Sequence, residues 1–116
     1  MRALSSVAVM LILAGVPVVG SGCSPSEPPT AAQRGKQVYL ANCILCHNPD
    51  PTKPGSQGPA IAGSSRELVE ARVVRAAYPP GYTPQRTTKA MVALPHLASK
   101  VDDLTAFLAS AKDAAQ

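Results

Sequence analysis

Two cysteines three positions apart, followed at once by a histidine, constrain this chain more than any other feature: Cys43-Ile44-Leu45-Cys46-His47. In an exported chain this C-x-x-C-H pattern signals covalent attachment of one c-type haem. The spacing suits the chemistry, because two thiols close together at the end of a helix can add to the two vinyl groups of one porphyrin as thioethers. His47, next to the second sulfur, then reaches the iron. Three other readings compete. A thioredoxin-like pair needs a βαβ setting, and no strand pattern precedes Cys43. A structural zinc site takes four Cys or His ligands, for which Cys43, Cys46, His47 and the lone His96 give an atypical spacing. A plain Cys43–Cys46 disulfide leaves the adjacent histidine without a purpose.

Export is read from the other end of the sequence. Met1 to Gly22 holds a single charge, Arg2, and a continuous apolar run from Val7 to Val19, closed by Gly20-Ser21-Gly22. This predicts a secretory signal peptide over residues 1–22, to be set aside in reasoning about the fold. The chain has 3 Cys, so one stands outside any pair made at the motif. That one is Cys23, directly after the small residues, and the junction resembles the lipobox of bacterial lipoproteins, whose Cys is lipidated and becomes the mature N-terminus. Two alternatives are an ordinary signal peptide cleaved nearby, which frees a soluble periplasmic product, and an uncleaved anchor of just spanning length from Ala3 to Gly22. All three place the domain outside the cytoplasm. The lipid on Cys23 would hold it on the periplasmic side of a bacterial membrane.

The rest of the 116 residues fits at most one small domain. A formal charge of +4 without clustered Lys and Arg among aromatics predicts no nucleic-acid partner. There is no Trp, and the aromatics are Tyr39, Tyr78, Tyr82 and Phe107. So few large side chains make a marginal core in a chain this short, which implies that something else fills its centre.

Residues 23–30 contain Ser-Pro-Ser-Glu-Pro-Pro-Thr and read as an extended tether, leaving 31–116 as the domain. Thr30 is placed to cap a first helix from Ala31 to about Asn42, with Gly35, Val38, Tyr39 and Asn42 on one face. The stretch from Asn48 to Gly63 is broken by Pro49, Pro51, Pro54 and Pro59 and reads as irregular loop. Ser64-Ser65-Arg66-Glu67 predicts a capping box from Ser64 to Glu67 and a second helix with Val69, Val73, Ala76 and Ala77 on its apolar face. That helix must stop by Tyr78, ahead of Pro79-Pro80. A second loop runs from Pro79 to about Ala98. The last helix is expected from near Ser99, with Asp102 and Asp103 in its first turn, Lys112 near its end, and Leu104, Phe107, Leu108 and Ala111 as its buried stripe. Nothing alternates at period two, so the expected class is all-α.

These features together resemble the class I cytochrome c family, from Ala31 to Ala111. The resemblance implies a small all-α fold of about three main helices with long loops around one covalently bound haem. Gly35-x-x-x-Tyr39 ahead of the motif looks like the family's first helix, whose glycine admits a close crossing of the last helix, with Phe107 as the aromatic packed there. Gly58-Pro59-Ala60-Ile61-Ala62-Gly63 resembles the family's loop after the motif, whose proline carbonyl accepts a hydrogen bond from Nδ1 of the proximal histidine; such a bond orients the imidazole and raises its basicity. Met91-Val92-Ala93-Leu94-Pro95 looks like a shortened form of the loop that carries the axial methionine, which makes Met91 the implied sixth ligand, with His96 as competitor. His47 and Met91 would then be the metal ligands, and Cys43, Cys46 and Pro59 the other cofactor contacts.

An iron closed by His and Met on its two faces has no place for substrate, so the resemblance implies a one-electron carrier rather than an enzyme. Thioether ligation and an apolar crevice both raise the potential. The alternatives are a haem subunit permanently docked in a periplasmic oxidoreductase complex, and an open-iron sensor or peroxidase-like protein. Redox proteins are the expected partners. The loop from Pro79 to Lys89 would border the exposed haem edge, where Arg86 and Lys89, with no acid between Glu70 and Asp102, are expected to steer an acidic partner.

Overall fold

A computed structural model of the chain describes Gly20, Gly22 and residues 26–116. Cys23 and the predicted signal segment, apart from those two glycines, lie outside the described residues. No helix among the described residues is long and apolar enough to cross a membrane.

Helix α1 spans Ala31–Asn42. Thr30 caps it: its hydroxyl accepts from Gln33 N at 3.2 Å while Gln33 Oε1 accepts from Thr30 N at 2.8 Å, so two otherwise unpaired donors are satisfied reciprocally. Gly35 and Tyr39 are buried as expected, but Asn42 is exposed, its amide turned back to donate to Val38 O at 2.8 Å.

Helix α2, Arg66–Arg75, starts and stops differently from the sequence reading. Ser65, not Ser64, is its cap and accepts from Leu68 N at 3.2 Å, because the Ser64 hydroxyl is already committed to Ile61 O at 2.7 Å in the preceding turn. Glu67 is therefore one residue out of register for a capping box. At the other end the helix closes at Arg75 with Ala76 in the left-handed region (φ 51), and Ala76 N and Ala77 N donate to Arg72 O and Ala71 O, both at 3.0 Å. Ala76 and Ala77 thus lie beyond the helix. Its buried face is Val69, Ala71 and Val73.

Pro95–Lys100, expected as loop and helix start, forms a 3₁₀ segment with the proline at its first turn and Leu97 buried. It feeds directly into helix α3, Val101–Ala114, which has no side-chain cap but carries Asp102 and Asp103 in its first turn and Lys112 in its last. Val101, Leu104, Phe107 and Leu108 are its buried stripe, with Ala111 half-buried.

Among the described elements, helices α1 and α3 make the most extensive contact. Gly35 makes it possible: a Cβ there would strike the backbone carbonyl of Asp103 and lie 2.9 Å from Phe107 Cβ. One turn on, the Tyr39 and Phe107 rings pack at 5.2 Å with a 51° tilt, worth about 1 kcal/mol beyond their burial. A two-pronged bond from Arg34 Nε and Nη2 to the Asp103 carboxylate, 3.1 and 2.8 Å, staples the edge of the crossing and holds that carboxyl below its usual range. Helix α2 packs on the 3₁₀ segment and α3, and Leu94 N donates to Val73 O at 2.6 Å, tying the chain after Met91 to α2. The core runs from Tyr39 through Val69, Val73 and Leu97 to Val101, Leu104, Phe107 and Leu108. The fold is the expected small all-α one, three helices joined by long loops, with no strand among the described residues.

Candidate cofactor site

The chain leaves α1 by one more irregular turn. Cys43 N donates to Tyr39 O at 2.9 Å, and Cys46 N and His47 N both return to Cys43 O, at 3.2 and 2.9 Å. That turn puts the two cysteines on one wall, both half-buried and neither in a disulfide. Burial first, then the neighbouring Cys46, pushes the Cys43 thiol up to about 11. The loop behind them is pinned to the motif: Gln57 N and Gly58 N donate to Cys46 O at 3.1 and 2.9 Å, and Tyr39 Oη donates to Asn48 O at 2.6 Å.

This pinning aims the histidine. His47 Nδ1 lies 3.2 Å from Pro59 O, and since a carbonyl can only accept, Nδ1 is the donor and Nε2 keeps its lone pair. Gly58 lies flat under the ring, where a Cβ would collide with it, 2.8 Å from Nε2. Burial lowers the His47 pKa from its ordinary value; the Pro59 bond opposes that, and the charges of Arg86 and Arg72 add to it. Burial and the two charges therefore favour the neutral ring, the form that ligates metals.

The thiols and the imidazole face one cleft that encloses about 970 Å³ when its open mouth is counted. Its floor is apolar, built from Tyr39, Ile61, Leu68, Val69, Val73, Leu104 and Leu108. Cys43, Cys46, His47, Pro59 and Met91 all line it. Met91 is half-buried against the core cluster, on the stretch held by the Leu94–Val73 bond. His96 is exposed on the 3₁₀ segment and is not part of the lining. The structure does not bring His96 to the motif, and among the described residues no group of three or more His, Cys, Asp or Glu is arranged to hold a metal ion.

Several residues of the wall carry little signal in the sequence. Gly58 was visible only as the residue before Pro59. Arg72, Tyr78 and Tyr82 also line the cleft; Pro79-Pro80-Gly81 turns the chain, with Tyr82 N donating to Pro79 O at 3.1 Å, so that Tyr82 stacks on Tyr78 at 5.3 Å. A tyrosine on each side of a Pro-Pro-Gly turn was the available signal. Arg86, expected beside Lys89 on an outer patch, is half-buried in the lining, whereas Lys89 is exposed.

Two thiols on one wall, an oriented imidazole and an apolar slot fit a flat cofactor that carries a metal and two thiol-reactive groups. The family model for cytochrome c matches residues 32–112, well over half of the chain. No curated protein and no solved structure gives a significant match. The chain belongs to the cytochrome c family, and its cofactor is a covalently bound haem c through which it transfers electrons.

Proposed function

We propose that this protein is a class I carrier of single electrons, in which Cys43 and Cys46 would attach the haem as thioethers and His47 and Met91 would ligate its iron. Bound haem supplies a one-electron ferric/ferrous couple. The chain supplies the rest. Pro59 O and Gly58 fix the plane of the His47 ring, the Leu94–Val73 bond fixes the stretch after Met91, and the apolar floor excludes water. The observation that carries the reading is that His47 and Met91 line the same apolar cleft as the two thiols, while His96 lies outside it.

The test is spectroscopic. Holoprotein made with a cytochrome c maturation system is expected to show a low-spin spectrum with the sulfur-to-iron band in the ferric form. Met91→Ala should abolish that band, lower the potential and admit carbon monoxide to the ferrous form, with His96→Ala unchanged. The reverse pattern would reassign the sixth ligand.

The same reading puts the domain on the periplasmic side of a bacterial membrane, held by a lipid on Cys23 and the short tether behind it, exchanging electrons with redox proteins as donor and acceptor. The support is the sequence at Gly20-Ser21-Gly22-Cys23, and the exposed Lys89 beside the cleft supplies the outward charge for an acidic partner. Since a single acyl chain binds membranes only marginally, the anchor must be multiply acylated. Cys23→Ala should move the protein to the soluble periplasmic fraction or leave it as precursor; processed protein that still sediments with membranes would mean another anchor.

A further inference from the structure

Two arginines of the cleft differ from the other described ones. Arg34 is paired with Asp103, Arg66 with Glu70 and Asp102, and Arg75 with Glu70. Among the described residues, Arg72 and Arg86 face no carboxylate, and these are the two that line the cleft, both half-buried. A guanidinium drawn from water against an apolar wall is costly unless an anion meets it. The other polar side chains of that wall, Gln57, Ser64, Gln85 and Thr88, are uncharged.

Arg72 is held in place by a built arrangement. The left-handed turn at Ala76 swings its carbonyl back to accept from Arg72 Nη1 at 2.8 Å. On its flat face the guanidinium carbon sits 4.2 Å from the centre of the Tyr78 ring, and Tyr78 is itself backed by Tyr82 at an interplanar angle of 9°. One N–H of the fork is used by Ala76, which leaves the remaining donors for a planar acceptor. Arg86 follows Tyr82 on the same loop and reaches the same wall.

Haem brings two carboxylate side chains into a cleft whose lining contains no acid and two unpaired guanidinium groups. We propose that Arg72 and Arg86 hold these two carboxylates, one each, with the Tyr78–Tyr82 stack as the shelf that keeps Arg72 in position. The inference rests on the haem site described above. It also separates two roles that the sequence places together: Arg86 serves the cofactor, and Lys89 remains for the partner.

The experiment is the midpoint potential of the holoprotein measured against pH for wild type, Arg72→Gln, Arg86→Gln and Arg75→Gln. Loss of a nearby cation favours the ferric form, so the first two variants are expected at lower potential than wild type, and their double variant lower still. A haem carboxylate left without its cation binds a proton more readily, so the potential should become pH-dependent at higher pH than in wild type, falling as pH rises. Arg72→Lys and Arg86→Lys, which keep the charge, should recover most of the shift; they also carry the test if a glutamine variant yields no holoprotein. Tyr78→Leu should move the potential in the same direction by less. Arg75→Gln removes the same charge from the same helix but from a guanidinium already paired with Glu70, and should leave the curve in place. Curves for Arg72→Gln and Arg86→Gln that superimpose on wild type or on Arg75→Gln would overturn the proposal. So would an Arg86→Gln variant altered only in the salt dependence of its reaction with a partner, which would return Arg86 to docking. Wild-type protein without covalent haem would instead defeat the haem reading itself, whereas haem present with unmoved potentials defeats this inference alone.

Discussion

The crossing of α1 and α3 and the opposite wall of the cleft are packed in different ways. At the crossing every contact is made by the chain itself: Tyr39 is 1% exposed, Val101 and Leu104 2%, and Gly35 brings the two backbones together. Across the cleft, Ile61, Leu68, Met91 and Leu94 are only half-buried, and Tyr78 remains 39% exposed. Both regions draw on the same short list of large residues. The difference is that the chain spends its aromatic pair on the crossing and leaves the second region to be completed by haem. The motif sits at the seam, at the end of the helix that belongs to the first region and facing the second.

Removing the covalent attachment should separate the two regions most strongly. With both Cys43→Ala and Cys46→Ala, covalent holoprotein is expected to disappear from a haem-stained denaturing gel. Any apoprotein should keep its slowest-exchanging amides in α1 and α3, with α2 and residues 79–94 exchanging like unfolded chain, because that region lacks enough apolar area of its own. An apo domain protected evenly throughout would end the distinction.

A glycine substitution attacks the other side. Gly35→Ala places a methyl where the Asp103 carbonyl and Phe107 already stand, and backbone cannot give way as a flexible side chain can. The expected loss in holoprotein stability is about 3 kcal/mol, the upper end for overpacking. Gly81→Ala, at φ 77 with nothing within 4 Å of the added carbon, should cost only the left-handed strain of about 1 kcal/mol. Denaturant midpoints for the two variants compare a packed position with an open one; equal losses would mean that the crossing is not the tighter region.

The sequence was most legible where one residue type has one job. Thr30 before an amphipathic run marked the start of α1, and the helix runs over the predicted residues because no neighbour competes for that cap. Ser64 and Ser65 stand side by side, and only the turn at Ile61 decides which hydroxyl is free, so α2 starts one residue later than the sequence alone predicts. The end of α2 was set too late because Ala76 adopts the left-handed cap that sequence statistics reserve for Gly or Asn. The cleft residues fixed by chemistry, Cys43, Cys46 and His47, stood out in a contiguous motif, while Pro59 and Met91 needed the family resemblance. Tyr78 and Tyr82 are signalled only by their places on either side of the Pro-Pro-Gly turn, and Arg72 has no spacing signal, since it meets Tyr78 only once the chain has folded.

A smaller effect than that of Gly35→Ala is expected at a side chain that joins both regions. The Tyr39 ring packs on Phe107 in the crossing, and its hydroxyl donates at 2.6 Å to Asn48 O, directly after His47. Tyr39→Phe keeps the ring and removes the bond, leaving a part-buried carbonyl short of a donor, at a cost of about 1 to 2 kcal/mol. Burial first, then the charges of Cys43 and Asp50, pushes the Tyr39 pKa up to about 12. With haem attached as proposed, Cys43 would be a thioether without charge, which leaves burial and Asp50. A phenol whose folded pKa lies above the ordinary value near 10 stabilises fully below about pH 10, and that contribution is lost as pH rises toward about 12. The stability gap between wild type and Tyr39→Phe should therefore be constant from neutral pH to about pH 10 and shrink above it, because only wild type gives up the bond. Tyr78 and Tyr82 are common to both proteins and cancel in the difference. Chemical denaturation of the two holoproteins from pH 7 to 12 measures this gap. A gap that stays constant to pH 12 would show that the Tyr39 hydroxyl is not the buried link between the crossing and the haem-binding turn.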